Sequence, residues 1–200
     1  MAKRRAEHRA AAGFTVKSGW ASAVLLTGPT SSPRVADSRP VELSNPAVPD
    51  ARQPYHAGFG TAREQGKELT RLVGSVKKFG GQSVTGVLRE YRALAPNVSG
   101  AGLVVGSLID PQTIRNDHIR IHALEGQLFR GVLEDALVRS QLSCSIWRER
   151  DLFEVGGTRL KLSEPKLRAA LSELGRGVAG GWRAEQKKAA LAAWLILAGP

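Results

Sequence analysis

A chain of 200 residues carries 29 Lys and Arg against 18 Asp and Glu, for a formal net charge of +11, with 42% hydrophobic and 24% charged residues. That length suits one hydrophobic core with tails, and the apolar content excludes a wholly disordered chain. The charge points to a polyanionic partner without saying anything about fold. A single cysteine, Cys144, excludes an internal disulfide and a cysteine-rich metal cluster, and fits a reducing, cytoplasmic setting. No apolar run approaches the ~18–20 residues of a membrane span. The basic start followed by a weak apolar run at 21–26 is not expected to be a signal peptide, so no membrane partner is expected.

In chain order, residues 1–12, MAKRRAEHRAAA, read as a basic, mobile arm with no apolar face, leaving 13–200 as a single α/β domain. Phe14–Lys17, Trp20–Leu26 and Val35–Leu43 are β-type runs separated by turn residues, which predicts an antiparallel meander. Residues 44–58 hold three prolines and no period, as a site-shaping loop would. Leu69, Leu72, Val73, Val76, Val84, Val87, Leu88, Tyr91 and Leu94 keep a 3.6-residue phase, predicting a helix over 60–94. Leu103–Ser107 is a short apolar strand. Asp110–Asp117 then offers an N-cap to a helix with Ile121, Leu124, Leu128, Val132 and Leu133 on one face. Strand 143–147, a glycine turn at Gly156-Gly157, a helix over 164–174, a glycine-rich link and a final helix over 182–197 complete the order.

This order, opened by Gly13-Phe-Thr-Val-Lys-Ser-Gly-Trp20, resembles the ribonuclease-H-like superfamily, most of all its RuvC-type resolvase branch. The resemblance implies an α/β fold with a mixed sheet: a three-strand antiparallel meander, then alternating helices and strands. Periodicity leaves strand order open, so a flavodoxin-like sandwich is the competing plan. Nucleases of the superfamily hold two divalent metals on carboxylates from the first strand, the end of the fourth strand and the last helix. The matching positions here are Thr15, Val16 and Lys17, then Ser107 with Asp110 three residues on, and Glu185. A lysine on the first strand repels Mg²⁺, so an ordinary two-metal site is not expected and no cofactor is favoured.

Loops after the strands are where ligands collect in such sheets. His56, and the i, i+4 pair His118 and His122 with Glu125 one turn on, fall in or beside them, and a 100° projection turns His118, His122 and Glu125 toward the core. Lys17, Arg52, His56, His118, His122 and Glu125 are therefore the candidate ligand pocket. H-x-x-x-H-x-x-E could hold a divalent metal through His118, His122 and Glu125, with His56 or water as fourth ligand. The alternatives are hydrogen bonds that fix the proline-rich loop, or a metal-free anion pocket with Lys17, Arg52 and Arg120.

Lys77-Lys-Phe-Gly-Gly-Gln-Ser83 is similar to the GGQ motif of eukaryotic-type class 1 release factors, which implies a hydrolytic role for Gln82 on the ester of peptidyl-tRNA. Helical phase runs straight through these glycines, however, and predicts close helix packing there instead of a protruding loop. Residues 158–188 carry +5, the arm carries +3, and the remainder is nearly balanced. Lys3, Arg4, Arg5, Arg159, Lys161, Trp182, Arg183 and Lys187 are thus the expected nucleic-acid contacts, through phosphates and one stacking ring. The expected function is nucleic-acid binding, RNA over DNA, without a two-metal nuclease site. A GGQ-type ester hydrolase and a non-enzymatic protein-interaction module are the alternatives.

Overall fold

The chain opens with the hairpin β1 (Ala10–Lys17) and β2 (Trp20–Thr27), turned at Ser18-Gly19, and continues antiparallel into β3 (Arg34–Glu42). The computed structural model describes residues 9–58, 61–63 and 65–199. A two-stranded ribbon, β4 (His56–Gly58) with β5 (Thr61–Ala62), precedes helix α1 (Lys67–Leu94). β6 (Val98–Val105), α2 (Asp117–Arg139), β7 (Cys144–Arg148), α3 (Leu152–Leu160), α4 (Glu164–Leu174) and α5 (Ala184–Ala198) follow. β6 returns parallel to β1 and β7 parallel to β6, giving one five-stranded sheet in the order β3-β2-β1-β6-β7.

Side-chain alternation along β1 splits the core into two layers. Ala10, Ala12, Phe14 and Val16 face α1 and α2, packing with Leu72, Val76, Tyr91, Phe129 and Leu133. Ala11 faces α5, beside Ala189, Ala192 and Ala193. On that side helix and sheet meet backbone to backbone. A Cβ on Gly13 would stand 1.9 Å from the Ala189 carbonyl oxygen, and one on Gly102 2.8 Å from that of Ala192. The alanine run of α5 and the two strand glycines are therefore one device for close approach. It seats the first turn of α5 over the carboxyl end of β1, where buried Thr15 Oγ1 donates to the Glu185 carbonyl at 2.9 Å.

Four expectations are corrected. The arm does not run to residue 12: Ala10, Ala11 and Ala12 are fully buried in the central strand, because alanine suffices where a helix lies directly on a sheet. Strand β6 begins at Val98 rather than at 103, since Gly100 and Gly102 leave room for Ser143 and α5. Helix α1 begins at Lys67 rather than near 60, because His56–Gly58 and Thr61–Ala62 pair as the β4–β5 ribbon and Gly66, at φ +111°, precedes the first turn. Gly156-Gly157 is not a turn but lies inside α3, where Gly156 faces the side chains of Leu191 and Leu167.

The Gly80-Gly81-Gln82 triplet sits in the middle of α1, whose hydrogen-bonded helix runs unbroken from 67 to 94. Gly80 is a packing glycine: a Cβ there would lie 2.7 Å from the Leu43 carbonyl oxygen and 2.9 Å from Val132 Cγ1. Gln82 is exposed on the opposite side. No loop presents the glutamine as the resemblance to release factors requires.

Candidate functional site

Two polar clusters flank the carboxyl end of β1, one on each face of the sheet. On the α2 side, the turn residue Ser18, the loop residue His56 and the helix residue Glu125 converge. Glu125 is fully buried, its Oε1 lies 2.8 Å from His56 Nδ1, and Ser18 Oγ lies 3.5 Å from its Oε2. His122 stacks obliquely on His56 at 5.2 Å between ring centres, and its Nε2 lies 3.3 Å from that of His118. The i, i+4 spacing on α2 makes this second contact, and the β4–β5 ribbon delivers His56 to the first. Burial raises the Glu125 carboxyl above its ordinary range, with His56 and then His122 opposing the shift. The Glu125–His56 contact is the buried end of this cluster, and the His56, His122 and His118 rings continue from it toward solvent.

This overlaps the expected pocket without reproducing it. His56, His118, His122 and Glu125 do meet. His118 and His122, however, are exposed rather than core-facing, and only Glu125 is interior. Arg52 lies against the Gly19 turn instead, its Cγ 2.6 Å from where a Cβ on Gly19 would be, and the residue stays exposed. Lys17 goes elsewhere, because an odd position on β1 points to the α5 face. Asp117 holds Arg120 at 2.8 Å. As a metal site the set is poor: both Glu125 oxygens already have partners. Among the described residues no three His, Cys, Asp or Glu side chains are placed to hold an ion.

The second cluster, on the α5 side, contains two acids and two ammonium groups. Lys17 Nζ lies 3.0 Å from Glu149 Oε2 and 3.4 Å from Glu185 Oε1. Lys188, one turn along α5, lies 3.1 Å from Glu185 and also bonds Glu149. Glu149 is placed just past β7, its amide donating to the Val105 carbonyl at 2.8 Å. Burial alone would raise both carboxyls, but hydrogen bonds and charge from Lys188 and Lys17 outweigh it and hold them below the ordinary range. Glu149 and Lys188 were not legible as site residues. The signal was the charged run Arg148-Glu-Arg-Asp151 directly after a strand end.

Here a ribonuclease-H-like nuclease would gather its metal-binding carboxylates. Ammonium nitrogens lie against both glutamates where a divalent cation would need free oxygens, and Thr15 is committed to helix α5. Between the end of β1, the loop after β6 and α2 lies a cleft of about 330 Å³, lined by Lys17, Ser18, Ile119, His122 and Arg130 among others. Of the expected pocket it collects only Lys17 and His122.

The basic C-terminal contacts divide by role. Arg159, Lys161 and Arg183 are exposed, and Lys187 donates to Ser172 Oγ at 3.1 Å. Trp182 is half-buried: its Nε1 donates to the Leu171 carbonyl at 2.6 Å and its ring covers Gly175, so it ties the α4–α5 link to the core. Lys3, Arg4 and Arg5 lie outside the described residues. Cys144 is half-buried, and burial pushes its thiol up to about 11, as suits an inert packing cysteine.

An antiparallel three-strand meander extended by two parallel strands, with α1 and α2 on one face and α5 across the other, defines a ribonuclease-H-like fold with the RuvC-type layout. The solved structures agree. The chain matches Thermus thermophilus RuvC in complex with a Holliday junction substrate at a TM-score of 0.54 and 10% identity, over 94% of this chain and 92% of that one. A second Thermus thermophilus RuvC structure matches at 0.53 and 10% identity, over 93% and 92%. No family model matches the sequence, and no curated protein matches it.

Proposed function

We propose that the protein binds nucleic acid through its phosphates and does so without two-metal nuclease chemistry. The observation that carries this reading is the Lys17–Glu149–Glu185–Lys188 cluster: ion pairs replace free carboxylates at the strand ends of a ribonuclease-H-like fold, in a chain of net charge +11. The net charge of the chain attracts a polyanion, while the ammonium groups resident in the charge-balanced cluster oppose Mg²⁺ capture. RNA is the partner expected from sequence. The fold's likeness to a resolvase solved on a Holliday junction makes DNA the direct comparison. A reducing, cytoplasmic compartment is the proposed setting, supported by the lone cysteine.

Fluorescence anisotropy with labelled RNA, DNA duplex and four-way junction of matched length tests this reading. Affinity should fall linearly on a log–log plot against salt, and excess Mg²⁺ should produce no cleavage beyond that seen with chelator. Absent or salt-independent binding would overturn the first part, and Mg²⁺-dependent cutting the second.

A further inference from the structure

The glycine-rich middle of α1 has one glycine too many for packing. Gly80 is explained by its contact with Leu43 and Val132, but a Cβ on Gly86 would meet nothing within 4 Å, and one on Gly81 only the Arg139 guanidinium at 3.3 Å. An interior helical glycine weakens the helix relative to alanine, so an uncompensated one invites a reason outside the folded chain. Gly86 opens onto a groove in which Gly81 lies buried against Arg139. This groove of about 420 Å³ between α1 and the end of α2 is lined by Lys77, Lys78, Gln82, Thr85, Arg89 and Arg139 around Gly81 and Gly86.

Four cations and no carboxylate line this groove, whereas many cations elsewhere, such as Arg39, Arg71, Arg148 and Arg168, are paired with acids. Lys77, Lys78, Arg89 and Arg139 make no ion pair among the described residues, and all are exposed. Lys78, Gln82, Thr85 and Arg89 follow one another at helical spacing along one face. From Lys78 to Arg89 the helix advances about 16 Å, comparable with about five nucleotides of a duplex strand. Cations flanking a floor without side chains suit a chain of phosphates that must come close to the helix.

We infer that this groove is a binding site for the sugar-phosphate backbone of a nucleic acid. Lys77, Lys78, Arg89 and Arg139 take phosphate oxygens, Gln82 and Thr85 offer polar groups between them, and the open backbone at Gly86 admits the strand. The inference rests on the nucleic-acid reading above and gives that reading a surface, on α1 and α2, away from the cluster at the strand ends and from the C-terminal basic region.

The test measures anisotropy binding of the full chain to labelled single-stranded RNA and four-way junction DNA over a salt series. Lys78→Glu with Arg89→Glu should weaken binding about tenfold or more and lower the salt slope by about 1.5, since two phosphate contacts are lost. Arg159→Glu with Lys161→Glu, the same charge change at the end of α3, should weaken it less. Gly86→Ala should raise the melting temperature yet reduce affinity, a pairing that a purely structural glycine would not give. Should the wild type bind while the α1 charge reversals leave affinity unchanged, the groove is overturned and the nucleic-acid reading stands. If the wild type binds no nucleic acid, both fall.

Discussion

At the residue scale the informative groups are those whose neighbours set their protonation or their role. Burial raises the Glu125 carboxyl, so the folded protein keeps that proton at pH values where the unfolded chain has released it. Stability from this group is therefore greatest at low pH and declines as pH rises through the interval between about 4.3, the usual glutamate value, and the folded value. Glu125→Gln, which cannot titrate, should lose less melting temperature than the wild type as pH rises through that interval. Parallel melting curves for the two proteins would show that burial does not perturb this carboxyl. Trp182 makes the opposite kind of test. Its hydrogen bond to Leu171 and its cover over Gly175 make it a structural strut, so Trp182→Ala should cost about 2–3 kcal/mol in thermal or denaturant unfolding. Its affinity for RNA, measured well below the melting temperature, should change little. A selective loss of affinity with unchanged stability would restore the stacking role that composition suggests.

At the element scale, α5 decides what the sheet can do. Its alanines rest on Gly13 and Gly102, and this close seat is what brings Glu185 and Lys188 to the end of β1. Gly13→Ala should cost about 3 kcal/mol or more, because the new methyl meets backbone and not the end of a flexible side chain. Unfolding by urea checks it; a near-neutral result would mean that α5 shifts freely. The ion cluster held by that seat is part-exposed, so single pairs are worth little, but its charge balance matters. Lys17→Asp would set three carboxylates around Lys188. The variant should melt below the wild type and recover partly in excess Mg²⁺, whereas the wild-type melting temperature should ignore both Mg²⁺ and chelator. Differential scanning fluorimetry with and without the ion reads this directly. A Mg²⁺ response in the wild type would overturn the description of these strand ends as cation-filled by lysine.

At the scale of the whole molecule, the +11 charge is spread unevenly over a ribonuclease-H-like framework. No described helix is long and apolar enough to cross a membrane. The sheet's carboxyl edge is charge-balanced by its two Lys–Glu pairings, so the edge where nucleases work is not the most cationic surface. Cations without an ion pair among the described residues lie instead on α1 and at the ends of α2 and α3. Much of this architecture was readable from periodicity. The amphipathic phase of Leu69 to Tyr91, the Asn116 cap before Ile119 and the meander of β1 to β3 are local patterns, and local hydrogen bonding and burial obey them.

What periodicity misjudged were places where a small residue serves a distant neighbour. Ala10–Ala12 carry no strand signature until helices are laid on both faces of the sheet. Gly156-Gly157 looks like a turn until Leu191 fills the space beside it, and Gly80-Gly81 looks like a motif until Leu43, Val132 and Arg139 lie against it. The candidate site divides in the same way. The i, i+4 spacing of His118 and His122 and the absence of acids on β1 follow from local order, because neighbours along one element are set by its repeat. The union of His56 with Glu125, and of Lys17 with Glu149 and Lys188, joins residues 69, 132 and 171 positions apart. Only the packing of helices on the sheet brings such groups together, since no spacing rule within a single element reaches across the fold.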